Sequence, residues 1–320
     1  MRSFGIYLAG LFILVFTMDR LAASFLDCLY VKTMTGQSGG KINYYLSLPT
    51  PPDLLIMGNS RAYYQVVPDS FKMPTYNIAH SATDDCFQRG LLAVLEEKKQ
   101  LPKTILLQID PGQYLGQEGI TRKNLNSVEF LRYYYGKNEE VTTLINNEGS
   151  TKKYLFYFHT YRYNGRVLTL LNNYFKTVLH PKQLQTGYDL IPAEATDSIY
   201  TLRSIQREVF PPAKFLSEYT TDLQSIISTC KRLHIRLILF TSPYFSRAMA
   251  DYLKPSTDKI KLLCGENKIP YINYLELSLP GLSTSASYWK DPNHLNHLGA
   301  EIQSRDLSNR VKQLLDEIRP

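Results

Sequence analysis

The sequence is poor in cysteine and tryptophan, and it contains no internal repeat and no low-complexity segment. Its 320 residues include 4 cysteines and 1 tryptophan. No two cysteines form a C-x-x-C pair, so nothing supports a metal site or thioredoxin-like redox chemistry. Cys230 and Cys264 fall in helix-like contexts, where a buried free thiol is the simplest interpretation. We therefore expect neither a metal ion nor a cofactor.

The chain also lacks a cluster of charge of one sign. Its 36 lysines and arginines against 29 aspartates and glutamates give a formal net charge of +7, but this surplus is scattered. The distribution does not favour nucleic acid as a partner, and it suits an anionic membrane surface or a polyanionic envelope polymer. At this length, with 44% hydrophobic residues, the chain can form one large α/β domain or two small ones.

The strongest topological signal lies at the N-terminus. Arg2 precedes an uncharged stretch rich in Leu, Phe, Ile and Val, residues 3–18, and the charged pair Asp19-Arg20 follows. These 16 residues are intermediate in length between a signal-peptide core and a full membrane span. The length alone therefore does not decide whether the segment is cleaved or retained.

Two interpretations of this segment remain open. Residues 22–24, Ala-Ala-Ser, could lie near a signal-peptidase site, whereas a second mostly apolar run, residues 21–31, continues the helical pattern. We favour an uncleaved single-pass anchor over residues 1–31, with Arg2 on the cytoplasmic side and the rest of the chain outside the inner membrane. Residues 32–52 are then a juxtamembrane linker.

A strand and a sharp turn follow this linker. Residues 54–57, Leu-Leu-Ile-Met, predict a buried strand, and Gly58 breaks it, so that Ser60 lies on the turn after its C-terminal end. An open α/β sheet binds its ligands at this edge. A serine here can act as a nucleophile where a base reaches it.

Near the C-terminus, a histidine follows an aspartate by three residues. Residues 291–296 read Asp-Pro-Asn-His-Leu-Asn. Asp291 can orient and polarise the imidazole of His294, which can then take the proton of Ser60. His297 does not have this spacing from Asp291, and His159 is interpreted as structural because it lacks a matching ligand set.

The two motifs together, Gly58-Asn59-Ser60 and Asp291-x-x-His294, resemble the SGNH/GDSL hydrolase superfamily. In that superfamily, a serine after the first strand and a D-x-x-H element before the last helix form a catalytic triad. The resemblance covers roughly residues 53–115 and 216–316. It implies an α/β, flavodoxin-like three-layer sandwich with a parallel sheet over residues 53–320, with a mostly helical insertion at about 116–215.

The apolar pattern predicts alternating strands and helices, which is the order of a parallel sheet covered on both faces. Besides the first strand, the predicted strands are residues 76–79, 104–109, 235–240 and 269–274. The predicted helices are residues 84–99, 218–233, 251–267 and 299–317.

The resemblance also implies a site for the oxyanion. The backbone N–H of Ser60 would be its main donor. At the turn after the second strand, where the superfamily carries a glycine, this chain reads His80-Ser81-Ala82. A backbone N–H of Ser81 or Ala82 can supply the second donor if the turn is kept.

Three other polar positions surround the nucleophile. Asn59 and Arg61 flank Ser60, and either could contact an anionic substrate, although Arg61 is equally well explained as a structural ion-pair partner. The superfamily's asparagine after the third strand is replaced by the run Gln108-Ile109-Asp110. An ionised Asp110 accepts hydrogen bonds and cannot donate them, so this donor is unassigned.

The insertion is dense in aromatic residues. Two interpretations remain open: a cap facing a substrate or partner, since tyrosines suit sugar rings, or ordinary helix packing. The residues concerned are Phe130, Tyr133, Tyr134, Tyr135, Tyr154, Phe156, Tyr157, Phe158, Tyr161 and Tyr163.

The anchor, the extracytoplasmic placement and the triad together resemble envelope proteins that move acyl groups onto polysaccharides, such as the D-alanyl transfer protein of teichoic acid and the alginate acetylation proteins. The resemblance implies a serine esterase or O-acyltransferase acting on acyl or acetyl esters of cell-envelope glycans through an acyl-serine intermediate. The sequence does not separate these two activities. The implied partners are the glycan or acyl donor, the inner membrane and a polytopic membrane-bound O-acyltransferase.

Two non-enzymatic interpretations are kept beside this one. The chain could be a catalytically weak SGNH-like scaffold that binds glycan or assembles a membrane complex. Alternatively, it could be a flavodoxin-like binding domain in which Ser60 and His294 never meet. The distance between these two side chains distinguishes the readings.

Overall fold

A five-stranded parallel sheet lies at the centre of the computed structural model, which describes residues 2–116, 127–147, 153–180, 186–196, 198–207, 209–277 and 279–317. The strands are β1 (Leu54–Met57), β2 (Thr75–Asn77), β3 (Thr104–Gln108), β4 (Arg236–Thr241) and β5 (Tyr271–Asn273). Their order is β2-β1-β3-β4-β5, and every neighbouring pair is parallel. This is the flavodoxin-like order. The predicted α/β fold is confirmed, and each predicted strand overlaps an observed one.

Helices cover both faces of the sheet. The α-helices are α1 (Arg2–Lys32), α2 (Lys41–Leu46), α3 (Ser60–Gln65), α4 (Asp85–Glu97), α5 (Glu139–Asn147), α6 (Val167–Leu179), α7 (Ser198–Gln206), α8 (Thr221–Arg232), α9 (Arg247–Asn267) and α10 (His297–Glu317). The described residues also form two short antiparallel ribbons, Leu115–Gly116 with Lys214–Phe215 and Trp289–Asp291 with His294–Leu295.

The side chains of β1 show why the fold has three layers. All four residues are buried, and alternate residues of a strand point to opposite faces. Leu55 and Met57 join a core that includes residues of α4, α8 and α9. Leu54 and Ile56 join a second core with residues of α3 and α10. A strand buried on both faces reads as a continuous apolar run, which is the pattern that predicted it.

Polar side chains mark the starts of the main helices. Asp84 accepts a hydrogen bond from the N–H of Phe87 at the start of α4. Ser246 accepts from the N–H of Met249 at the start of α9. Such caps satisfy N–H groups that have no partner inside the helix. The helix α4 begins next to its predicted start at residue 84, whereas the cap at Ser246 begins α9 four residues before its predicted start at residue 251.

The N-terminal segment is one continuous helix, as the apolar pattern predicted. The residues of α1 from Phe4 to Met18 are exposed, whereas Asp19, Ala23, Leu29 and Tyr30 are buried against the domain. In the part of the chain that the structure describes, the stretch Phe4–Lys32 is the one helix long and apolar enough to cross a membrane.

The segment predicted as a linker packs against the domain. A single π-helical turn, Gly36–Gly40, leads directly into α2. Ile42 and Tyr45 of α2 belong to the core on the α4 side of the sheet. The N-terminal helix is therefore joined to the sheet through ordered, partly buried structure.

The described parts of the insertion are short 3-10 turns together with α5, α6 and α7. Its aromatic residues are in part buried, in part half-buried against the core and in part exposed. Tyr134, Phe156 and Tyr163 are buried, which fits ordinary packing. The exposed residues are Tyr154, Tyr157, Phe158, Phe175 and Tyr200, and packing within the domain does not explain their exposure.

Candidate active site

The turn after β1 places Ser60 at the first position of α3. Asn59 caps this helix, and its side-chain oxygen accepts a hydrogen bond from the N–H of Arg61 (2.9 Å). Gly58 has a φ of 140°, and a Cβ atom there would lie 2.7 Å from Cβ of Gln108. Only glycine fits this close approach without strain. The tight turn and the cap together fix Ser60 at the C-terminal edge of the sheet.

The second motif forms a small hairpin in front of α10. Asp291 ends one arm of the ribbon, and His294 begins the other. The N–H groups of Asn293 and His294 both donate to Oδ1 of Asp291, each at 2.9 Å. These two bonds fix the carboxylate and the histidine backbone relative to each other, so the spacing of three residues is also a structural requirement.

The fold brings Ser60, His294 and Asp291 together. Oγ of Ser60 lies 2.9 Å from Nε2 of His294. Nδ1 of His294 lies 3.0 Å from each carboxylate oxygen of Asp291. With the imidazole proton on Nδ1, the ring donates to Asp291, and Nε2 is free to accept the proton of Ser60. The three side chains thus have the arrangement by which a serine is activated.

The surroundings of Asp291 keep it ionised. Burial raises the pKa of its carboxyl group, but the hydrogen bond and charge of His294 and the two backbone N–H groups outweigh this effect and hold the pKa below its usual value. The ring of Tyr64 stands edge-on to His294, with the ring centres 6.2 Å apart. His294 is thus held by a carboxylate at one nitrogen and by an aromatic neighbour at its side.

The turn of residues 80–83, named here the oxyanion turn after the role predicted for it, lies directly beside the turn of residues 58–60 that carries Ser60. The N–H of His80 donates to the carbonyl oxygen of Gly58 (3.0 Å). The hydroxyl of Thr83 donates to the carbonyl oxygen of His80 (2.7 Å). Ala82 has a φ of 57°, so it adopts the left-handed conformation that a glycine would accept freely. The predicted turn is therefore kept, although glycine is absent.

Two backbone N–H groups at this edge are open. In the described part of the chain, the N–H groups of Ser60 and Ala82 donate to no protein acceptor. The N–H of Ser81 instead donates to the side-chain oxygen of Gln37 (2.6 Å). Of the two residues predicted to supply the second donor, Ala82 therefore has the available group.

Arg61, Gln108 at the end of β3 and the partly buried Asp110 lie beside the turn that carries Ser60. Arg61 is 3% exposed, and its guanidinium donates to the carbonyl oxygens of Ser242 and Pro243. Its NH1 lies 4.0 Å from a carboxylate oxygen of Asp110. Of the two roles left open by the sequence, this placement fits the structural one. The side-chain oxygen of Gln108 accepts from the N–H of Asn59 (3.3 Å), so it supports the turn that carries Ser60.

A buried lysine anchors the start of the oxyanion turn. Lys41 of α2 is 2% exposed, and its Nζ donates to the carbonyl oxygen of Ala79 (2.8 Å). Nζ also lies 4.0 Å from the ring centre of Tyr63. Burial holds the pKa of Lys41 well below its usual value. Together with Gln37, it connects the segment after α1 to the turn beside Ser60.

A segment of the insertion, residues 186–196, which contains the 3-10 turn Ala193–Ala195, lies against α3 and α10. The hydroxyl of Tyr63 donates to the carboxylate of Asp189 (2.9 Å). The N–H of His297 donates to the carbonyl oxygen of Ile191 (2.8 Å). The insertion is thus attached both to α3, which begins at Ser60, and to α10, which begins three residues after His294.

The sequence indicated the triad and the turn, but it did not indicate Gln37, Lys41 or Tyr64. Gln37 lies in a polar, glycine-rich stretch that carries no periodicity. Lys41 follows it, and a lysine is rarely buried. Tyr64 lies one turn of helix from Ser60, and this i, i+4 spacing was the one available signal for it.

Comparison with protein-family models finds no match, and neither does comparison with curated proteins. Among solved structures, the chain is similar to one from Streptococcus pneumonia that is named as a candidate platelet activating factor. The two chains share 11% sequence identity with a TM-score of 0.41, over 94% of this chain and 98% of that chain. At such values, the chemistry has to be argued from the site itself.

Proposed function

We propose that the protein is a serine esterase or O-acyltransferase of the SGNH/GDSL type, with Ser60 as the nucleophile. The observation that carries the proposal is the hydrogen-bonded series from Ser60 through His294 to Asp291, with contacts of 2.9 and 3.0 Å. The flavodoxin-like strand order and the position of Ser60 after β1 support the assignment to this superfamily.

In the proposed reaction, Oγ of Ser60 attacks the carbonyl carbon of an ester while Nε2 of His294 takes the hydroxyl proton. The negative charge that forms on the carbonyl oxygen is stabilised by the N–H groups of Ser60 and Ala82. The C–O bond of the ester then breaks, and His294 gives its proton to the departing alcohol. An acyl group remains on Ser60. Asp291 stabilises the imidazolium formed in between.

The second half of the reaction decides between the two activities. His294 removes a proton from an acceptor hydroxyl, which then attacks the acyl group on Ser60. The bond between the acyl carbon and Oγ of Ser60 breaks, and His294 returns the proton to Oγ. If the acceptor is water, the protein is an esterase, and if it is a sugar hydroxyl, the protein is an O-acyltransferase. We propose an acyl or acetyl ester of a cell-envelope glycan as the substrate, with α1 as an uncleaved inner-membrane anchor, the site outside the membrane, and a polytopic membrane-bound O-acyltransferase as partner.

A second candidate function is a catalytically weak scaffold that binds glycan or a membrane-bound O-acyltransferase. The contact between Gln37 and the N–H of Ser81 favours it, because this contact occupies one of the donors expected at the oxyanion site. If Gln37 blocks the site, Gln37→Ala should react faster than the wild type with a fluorophosphonate, a reagent that labels activated serines. If Gln37 only supports the turn, the variant should react more slowly or at the same rate.

The proposed function can be tested by labelling with a fluorophosphonate, which reacts with activated serines. The full-length protein in detergent should be labelled, and Ser60→Ala and His294→Ala should both abolish labelling. Asn59→Ala serves as a control for disturbance of the turn, since it removes a helix cap but no triad member. A folded wild-type protein that takes up no label would contradict the enzymatic proposal and favour the catalytically weak scaffold.

A further inference from the structure

The folded domain begins abruptly at Asp19 of α1. The carboxylate of Asp19 is buried and accepts hydrogen bonds from the N–H groups of residues 159–160, at 2.8 and 3.0 Å. Arg20 pairs with Asp19 (2.7 Å) and donates to the carbonyl oxygen of Tyr157 (2.9 Å). Residues 4–18, which precede this point, are all exposed. The charged pair in the middle of α1 is therefore a junction between the helix and the insertion.

The apolar part of α1 is too short to hold the domain clear of a bilayer. At about 1.5 Å per residue, residues 3–18 span about 24 Å, whereas the hydrocarbon core of a bilayer is about 30 Å thick. A short span is accommodated by local thinning of the bilayer or by drawing the flanking groups into the interface. Because the apolar part of α1 is this short, the part of the domain beside Asp19 is expected to lie among the lipid headgroups.

Three of the insertion's exposed aromatic residues, Tyr154, Tyr157 and Phe158, lie beside this junction. These three belong to residues 153–158, named here the aromatic collar, which is tied to α1 through Arg20. Tyr154, Tyr157 and Phe158 are 58%, 76% and 41% exposed. The exposed Lys153 lines an open groove of about 490 Å³ together with two of these tyrosines and neighbouring aromatic residues. Aromatic rings with a nearby cation are typical of the membrane–water interface.

We infer that the aromatic collar lies in the headgroup region of the bilayer beside α1, with the ammonium group of Lys153 against lipid phosphate. This inference rests on the membrane anchoring in the proposed function. Two attachments, the helix and the collar, hold the domain in one orientation, whereas a helix alone would leave it free to swivel. The collar thus fixes the orientation of the domain relative to the bilayer, which the short apolar part of α1 alone would not do.

One consequence concerns the height of the active site. From Asp19 to Lys32, α1 rises about 20 Å, and Gln37 lies just beyond its end and contacts Ser81. The oxyanion turn is therefore held on the order of 20 Å from the collar, measured along the helix axis. At that height, the site faces acyl groups carried by a polymer or by a protein partner, and it does not reach the ester bonds of phospholipids.

The inference can be tested by fluorescence of the full chain in vesicles of phosphatidylethanolamine and phosphatidylglycerol. A nitrobenzoxadiazole label is attached to a single introduced cysteine, in a background in which the exposed Cys28 is replaced by serine. Tyr157→Cys reports on the collar. Leu11→Cys reports on the anchor, and Lys312→Cys, on the exposed side of α10, is the matched control. Thermal unfolding establishes that each labelled variant is folded.

At position 157, we expect an emission shifted to the blue, quenched by nitroxide lipids and protected from iodide, while position 312 shows the reverse. If the label at position 157 behaves like that at position 312 while the label at position 11 is quenched by nitroxide lipids, the inferred position of the collar is contradicted and the membrane anchoring by α1 is supported. If the label at position 11 is also accessible to iodide, both the position of the collar and the membrane anchoring by α1 are contradicted. Neither readout depends on esterase chemistry, so a failure of the proposed activity would be seen separately, as loss of fluorophosphonate labelling.

Discussion

Asp291 shows how one side chain can serve both structure and the proposed chemistry. Its carboxylate accepts two backbone N–H groups and also faces Nδ1 of His294. An asparagine could keep both backbone contacts through its side-chain oxygen, which would turn its amide N–H₂ towards the imidazole. The ring would then have to accept at Nδ1 and carry its proton on Nε2, where it could no longer accept the proton of Ser60.

Asp291→Asn should therefore fold and lose activity. We expect the rate of fluorophosphonate labelling to fall by about 10³- to 10⁴-fold, with little change in the temperature of unfolding. Lys290→Gln, at the exposed neighbouring residue, is the control and should label at the wild-type rate. A variant that labels as fast as the wild type would contradict the role given to Asp291.

Gly58 gives a second prediction at the residue scale. Gly58→Ala places a Cβ atom 2.7 Å from Cβ of Gln108, with the backbone at a φ of 140°, and should destabilise the fold by about 3 kcal/mol or more. Gly265→Ala is the matched control, because a Cβ there meets nothing within 4 Å and lies in α9, where alanine is favoured by up to about 1 kcal/mol. In denaturant unfolding, the midpoint concentration should fall for Gly58→Ala and rise for Gly265→Ala, relative to the wild type.

At the scale of the element, the turn of residues 80–83 depends on a histidine that is buried in its neutral form. Burial lowers the pKa of His80 to about 4, and the charge of Lys41 adds to this effect. Nδ1 of His80 donates to the carbonyl oxygen of Ser81 (2.8 Å), and its ring packs against Phe130, with ring centres 4.3 Å apart. This histidine links the oxyanion turn to the insertion.

The stability of the protein should depend on pH through His80. Its folded pKa lies below the ordinary value of 6.5, so between these two values the unfolded chain binds a proton that the folded chain does not. Lowering the pH from 7.5 to 5 should therefore reduce the free energy of unfolding by about 2 kcal/mol. His80→Asn should lose this part of the pH dependence, whereas His180→Asn, at an exposed histidine, should retain it. An unchanged slope in His80→Asn would contradict the prediction.

For the whole molecule, the second half of α1 is part of the domain. Leu29 and Tyr30 form a small core with Tyr163 and Leu170, and Asp27 pairs with Lys137 (2.8 Å). The boundary between the exposed apolar part of α1 and the folded domain therefore lies near Asp19. A boundary at residue 31 or 32 would cut through this core.

Two shortened chains should separate these boundaries. A chain that begins at Asp19 should unfold at nearly the same temperature as the full chain in the same detergent. A chain that begins at Thr33 loses the buried Ala23, Leu29 and Tyr30, worth about 5 kcal/mol of burial, and should unfold about 10 °C lower or aggregate. Equal unfolding temperatures for both shortened chains would show that residues 19–32 contribute no stability.

The sequence by itself determined the elements whose signals are local. These signals depend on residues at most a few positions apart: the apolar run of β1, the break at Gly58 and the apolar stripe of α4. The chain forms the strand, turn and helix that these local patterns favour. The pairing of Ser60 with His294 is different, because these residues lie 234 positions apart. It was expected only from the order of two motifs, and the parallel sheet is what brings their ends to the same edge.

Only the tertiary structure decided the surroundings of the triad. The burial of Arg61, the contact of Gln37 with Ser81 and the division of the insertion's aromatic residues into buried and exposed groups depend on the path of the chain. No local pattern encodes that path, since a polar side chain in a turn reads the same whether it faces water or a backbone N–H 44 positions away. Burial and hydrogen-bond partners are properties of the packed molecule, because they are set by whichever segments the sheet and helices bring into contact.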